Sequence, residues 1–263
     1  MNQKTLNIYE ACAALVLLFA LQFLVVISFI DSGASIINGD PKNSVISVIS
    51  TGFLISILMK VTNSTYKDIF HLSSNSIFST LSFLFIPVSL TIIPSSLWLN
   101  DLVMFVTNFL PENKQSIDSL NNMLSGGVVT IISICVIAPF LEEMLFRGMF
   151  LRGFLGHYSP TRSILYSSIL FSVVHFNIYQ MPTAFLLGCY VGWLYYVTRS
   201  LWPCIFAHSL NNAIAYLAFI YWPQGDFNGI GVNFLSLIIS ALGILLVARI
   251  YGIKLSLTGI GRF

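Results

Sequence analysis

Apolar residues come along this chain in long runs, with the polar residues gathered in short clusters between them. Eight runs can be drawn, over 9–30, 44–60, 77–99, 125–150, 162–179, 183–198, 201–221 and 231–251. A stretch of about 20 apolar residues is the length at which a helix crosses a bilayer core. Lipid offers no partner for backbone polar groups, so an α-helix, which satisfies its own, is the expected form. The pattern therefore predicts an all-α polytopic membrane protein of about eight transmembrane helices. The segment 101–110 is apolar but too short to cross, and is expected to be an interfacial helix. The most polar connection is 111–125, with Glu112, Asn113, Lys114, Gln115 and Asp118, and is expected to be an aqueous loop.

Composition strengthens the membrane reading. Apolar residues make up 56% of 263, charged residues 8%, and the mean hydropathy is +0.86. A soluble domain carries about 25% charged residues to keep its surface wet. The first apolar run, 11–30, exceeds the 7–15 residues of a signal-peptide core, and is expected to be a retained first helix. Gly188 and Gly192 stand four apart, a small-xxx-small spacing that lets helix backbones approach. No internal repeat or low-complexity linker divides the chain, and one membrane domain over 1–263 is the simplest description.

Charge adds an orientation and removes a partner class. The net charge is +2 with no polybasic tract, which argues against nucleic acid. With the N-terminus inside, Lys4, Lys60, Lys67, Arg152, Arg162, Arg199, Arg249, Lys254 and Arg262 fall on one side. Only Lys42 and Lys114 fall on the other, so 9 basic residues face 2 once Arg147 is set aside. This bias places both termini in the cytoplasm. Cys12, Cys135, Cys189 and Cys204 all lie in apolar runs and form no close metal or redox pair.

The informative residues are polar groups inside the apolar runs. A charge in lipid costs roughly 2.5–3.5 kcal/mol on insertion scales, so each one asks for a reason. The fourth run ends Ala138-Pro139-Phe140-Leu141-Glu142-Glu143-Met144-Leu145-Phe146-Arg147-Gly148. On a helix Glu143 and Arg147 are i,i+4 neighbours and can pair. Glu142 points about 100° away and has no sequence-local partner. A carboxylate neutralised by arginine serves structure, whereas one left alone in a low-dielectric cavity is the better general base. Two glutamates at the lipid boundary can equally be simply solvated.

Two further clusters follow. His175 stands alone in the apolar fifth run, where a hydrogen-bonded packing role is the plainer reading. His208 and Asn212 lie at i,i+4 on the seventh and can aim two donors at one point, or act as glue between helices. In combination they fit the hydrolysis of a peptide bond. Glu142 with His175 can activate water, and His208 with Asn212 can supply donors to a tetrahedral oxyanion. No serine or cysteine has an evident partner base, so a covalent nucleophile is less well supported.

The three motifs, Glu142-Glu143-x-x-x-Arg147, Phe171-x-x-x-His175 and His208-x-x-x-Asn212, together resemble the CPBP family, which comprises CAAX prenyl proteases and bacteriocin-processing (Abi) proteins. The resemblance covers about 125–221 and matches in order, spacing and placement on separate spans. It implies an intramembrane glutamic endopeptidase with a polar cavity among its helices. On that likeness Glu142 would activate water with His175 assisting, and His208 and Asn212 would form the oxyanion site. Glu143, Arg147 and Phe171 would support it. Glu142, His175 and His208 also offer a conceivable zinc set, but no HExxH helix is present, and a mechanism without metal or other cofactor is expected.

The implied partners are the lipid bilayer and a membrane-associated peptide or protein substrate. The short loops resemble the bacterial members, so a bacterial plasma membrane is the expected location. Two other classes compete. A scaffold or immunity protein of the same fold would use these residues for structure alone. A small proton-coupled transporter would use Glu142 and His175 as a relay, although no inverted repeat or pair of broken helices supports it.

Overall fold

The computed structural model describes residues 4–33, 42–107, 109, 118, 121–122, 124, 127–221 and 230–252. Nine helices account for nearly all of them. Their ranges are α1 Ile8–Asp31, α2 Lys42–Thr62, α3 Tyr66–Phe70, α4 Ile77–Thr107, α5 Gly127–Phe154, α6 Pro160–Val173, α7 Met181–Thr198, α8 Trp202–Tyr221 and α9 Ile230–Ile250. Among the described residues there is no strand, only an isolated bridge between His71 and Ser200. The chain is an all-α polytopic integral membrane protein. Each of the eight expected spans coincides with a helix, α3 being an extra short one. Among the described residues, five helices are long and apolar enough to cross a membrane: α1, α2, the Ile77–Leu99 part of α4, α5 and α8.

Local chemistry sets several boundaries. Asn7 caps α1 by accepting from the Glu10 backbone N–H at 3.0 Å, while the Glu10 carboxylate accepts from the Asn7 N–H at 2.9 Å. Thr65 and Asp68 make the same reciprocal cap on α3. Proline opens α6 and α7, where a missing N–H does no harm. The expected interfacial helix over 101–110 is not separate: α4 runs through it to Thr107, despite Pro87 and Pro94 within the helix. Of the expected loop 111–125, only 118, 121–122 and 124 are described, and Lys114, Lys254 and Arg262 lie outside the described residues.

The fifth span is shorter than expected. The run 162–179 predicts a helix through His175, but α6 stops at Val173 and His175 stands in the following turn. Phe176 takes a left-handed φ of 48°, and the Asn177 side chain accepts from the Tyr179 N–H at 3.0 Å. Those features turn the chain into α7.

The connections rich in basic residues gather at one end of the bundle. The Lys4 N–H donates to Thr62, and the Arg152 guanidinium donates to the Asp68 carbonyl at 2.9 Å. The Leu72 N–H donates to Arg199, and His157 meets the Thr5 hydroxyl at 3.0 Å. Small residues set the close packing of α6 on α7. A Cβ on Gly188 would stand 3.1 Å from the Ser168 Cβ, and one on Gly192 would stand 3.2 Å from Ile164. The spacing of these two glycines thus marks a real helix contact.

Candidate active site

The site is built on an unusual stretch of α5. This helix widens into π-helical turns at Ser133–Ile137 and again at Met144–Leu151, with an α-helical turn, Ala138–Glu143, between them. Wide turns of this kind are rare and gather at functional sites. Glu142 and Glu143 sit where the second one begins. Every residue of Met144–Leu151 is buried, which removes the apolar/polar periodicity that would have marked its geometry.

Glu143 and Arg147 pair as the i,i+4 spacing predicts. Arg147 Nη1 donates to Glu143 Oε1 at 2.9 Å, and both side chains are 0% exposed. Arg147 is held from two more sides. Its Nη2 donates to the Gly188 carbonyl on α7 at 3.1 Å, and its guanidinium carbon lies 4.5 Å from the Phe171 ring centroid. A lone buried charge is prohibitive, but this one has a carboxylate, a carbonyl and an aromatic face. The α7 carbonyl is reachable because Gly188 brings that backbone close.

The same carboxylate orients a histidine. His208 Nδ1 lies 2.8 Å from Glu143 Oε1, which accepts its proton in a hydrogen bond. That fixes the tautomer and turns Nε2 away, to 3.8 Å from Glu142 Oε2. Glu142 is 33% exposed on its side chain, whereas His208 is 4% exposed. Glu142 is thus the one carboxylate of the pair open to water or a ligand.

Phe171 joins the three motifs. Its ring contacts Arg147, stands edge-on to His208 at 5.5 Å and edge-on to His175 at 5.1 Å. Its carbonyl accepts from His175 Nδ1 at 2.8 Å. A carbonyl cannot donate, so Nδ1 carries the proton and Nε2 of neutral His175 keeps its lone pair. Serines secure α6 here: Ser167 donates to the Phe146 carbonyl at 3.0 Å and Ser172 to the Met181 carbonyl at 2.7 Å.

The predicted partnerships are thus redistributed. Glu142 has His208 beside it, and no hydrogen bond joins Glu142 to His175 among the described residues. His208 and Asn212 share a face of α8, but Asn212 Nδ2 donates to the Ile134 carbonyl at 2.9 Å and its oxygen accepts from Asn211 at 3.2 Å. The carbonyls of Gly188 and Ile134 belong to the site although no side-chain motif announces them. Among the described residues, no three His, Cys, Asp or Glu side chains stand together as a metal set.

Comparison with known proteins agrees with the motifs. Residues 124–214 match the family described as Type II CAAX prenyl endopeptidase Rce1-like. A Bacillus subtilis (strain 168) protein named "Putative membrane peptidase YdiL" is 28% identical over 101 residues, which are 38% of this chain and 40% of that protein. The chain thus aligns with less than half the length of that curated relative. No solved structure matches. Motifs and family match fall on the same residues, and over that stretch the chain is similar to the CAAX prenyl endopeptidases.

Proposed function

We propose that this protein is an intramembrane endopeptidase that hydrolyses a peptide bond in a membrane-associated peptide or protein, using water activated by Glu142. The observation that carries the reading is the division of labour between adjacent glutamates. Glu143 is sealed against Arg147 and His208, while Glu142 stays open beside His208 Nε2.

In the proposed reaction, the Glu142 carboxylate takes a proton from water and the resulting hydroxide attacks the carbonyl carbon. His175 Nε2 is available to assist that proton transfer. His208, anchored through Nδ1, presents Nε2 to the developing oxyanion when it carries a proton, and the remaining N–H of Asn212 is a second donor. The proton on Glu142 then passes to the leaving amine. Glu143, Arg147 and Phe171 touch no substrate and act by positioning. The proposed mechanism uses no metal or other cofactor. The setting proposed is a bacterial plasma membrane, with both termini in the cytoplasm, in keeping with the basic connections gathered at one end of the bundle.

The test compares protein N-termini in membranes of cells carrying wild-type protein or Glu142→Gln at equal abundance. Termini that vanish in the variant support the reading and identify the substrate. Identical sets, in cells where deletion of the protein still has a phenotype, favour a scaffold of the same fold. Solute accumulation in proteoliposomes abolished by Glu142→Gln favours a transporter.

A further inference from the structure

We infer that Pro139 is a positioning residue that sets the direction of the Asn212 amide by leaving the Ile134 carbonyl without a backbone donor. The inference rests on the peptidase reading for its catalytic consequence, and on hydrogen-bond accounting for its structure. In a helix the Ile134 carbonyl has two candidate donors, the N–H of residue 138 in an α turn and that of residue 139 in a π turn. The first is taken, since the Ala138 N–H donates to Ser133 across the π turn Ser133–Ile137. The second does not exist, because residue 139 is proline. A carbonyl orphaned inside a membrane bundle is costly, and Asn212 Nδ2 from α8 supplies the missing bond at 2.9 Å.

The consequence is directional. A carbonyl accepts only from the NH2 end of the amide, so Ile134 dictates which way Asn212 points. One of the two Nδ2 hydrogens is used. The other is fixed in the amide plane and becomes the donor available to an oxyanion. The Asn211 amide, donating to Asn212 Oδ1 at 3.2 Å, holds the opposite end. Preorganised donors of this kind act on the transition state, so their loss lowers kcat more than it changes KM.

The experiment follows the Asn212 side-chain amide signal by nuclear magnetic resonance in detergent-solubilised, asparagine-labelled protein, assigned by its loss in Asn212→Ala. In Pro139→Ala the added N–H competes for Ile134, and the bound Nδ2 proton is expected to shift and to exchange about tenfold faster or more with water. An unmoved signal overturns the inference. If Pro139→Ala does not fold, the Ile134 carbonyl carbon is compared between wild type and Asn212→Ala, where an unchanged shift overturns it equally. On the substrate identified above, Pro139→Ala is expected to lower kcat about tenfold with KM little changed, and to add nothing in an Asn212→Ala background. Additive losses overturn the coupling. A signal that moves while the wild type hydrolyses nothing contradicts the peptidase reading and leaves the positioning intact.

Discussion

The Nδ1 atom of His208 and the Oε1 atom of Glu143 lie 2.8 Å apart, though 65 residues separate them in sequence. The same oxygen accepts from Arg147 at 2.9 Å. One buried carboxylate therefore serves two cations or donors from two helices, and the adjacent Glu142 is left open. This asymmetry leads to distinct outcomes for neighbouring substitutions.

Glu143→Ala leaves Arg147 charged, buried and without its carboxylate. Breaking one side of such a pair costs about 3–5 kcal/mol. The variant is expected to unfold at markedly lower temperature and to lose the orientation of His208. Thermal unfolding in detergent checks this, and an unchanged midpoint contradicts the anchoring role.

Arg147→Lys keeps the charge but not the planar fork that reaches Glu143 and the Gly188 carbonyl together, nor the guanidinium face on Phe171. The two cations are not interchangeable at such a site. Lower stability is expected, by about 1–3 kcal/mol as for a lost charged hydrogen bond. Equal denaturation curves for variant and wild type rule this out.

Gly188→Ala places a methyl group 3.1 Å from the Ser168 Cβ and 3.2 Å from its Cα. Backbone on the far side cannot swing away, so α6 and α7 must separate. Overpacking of this kind costs about 1–3 kcal/mol. The shift also withdraws the carbonyl that holds Arg147, so activity falls along with stability. Gly52→Ala, where nothing stands within 4 Å, serves as the control expected to behave as wild type.

A strong chelator is expected to leave hydrolysis unchanged, since the proposed reaction uses a carboxylate base rather than a bound ion. Reversible loss of activity, restored by added zinc, refutes that part of the mechanism.

Much of this site is legible in the sequence because its key contact is local. The i,i+4 rule is enough to pair Glu143 with Arg147 and to leave Glu142 apart. It cannot reveal that His208 uses Glu143 rather than Glu142, because that choice depends on how α8 docks on α5. The end of α6 before His175 was marked by Asn177, Gln180 and Pro182, turn punctuation within an otherwise apolar stretch. The π turns of α5 had no comparable mark. Burial on every side removes periodicity, and only Pro139 hints that a backbone bond is missing there. Helix α4 runs on through 101–107 because apolar content alone does not separate a continued helix from a new one.

The most direct test of the central claim, that Glu142 is the base and Glu143 its structural neighbour, is kcat/KM of reconstituted Glu142→Gln on the substrate that the membrane comparison identifies. Loss of a general base lowers the rate by about 10²–10⁴-fold. A loss in that range, with the thermal midpoint of the wild type retained, is the result predicted. Activity within about threefold of wild type, in a well-folded variant, would show that Glu142 does not activate the water.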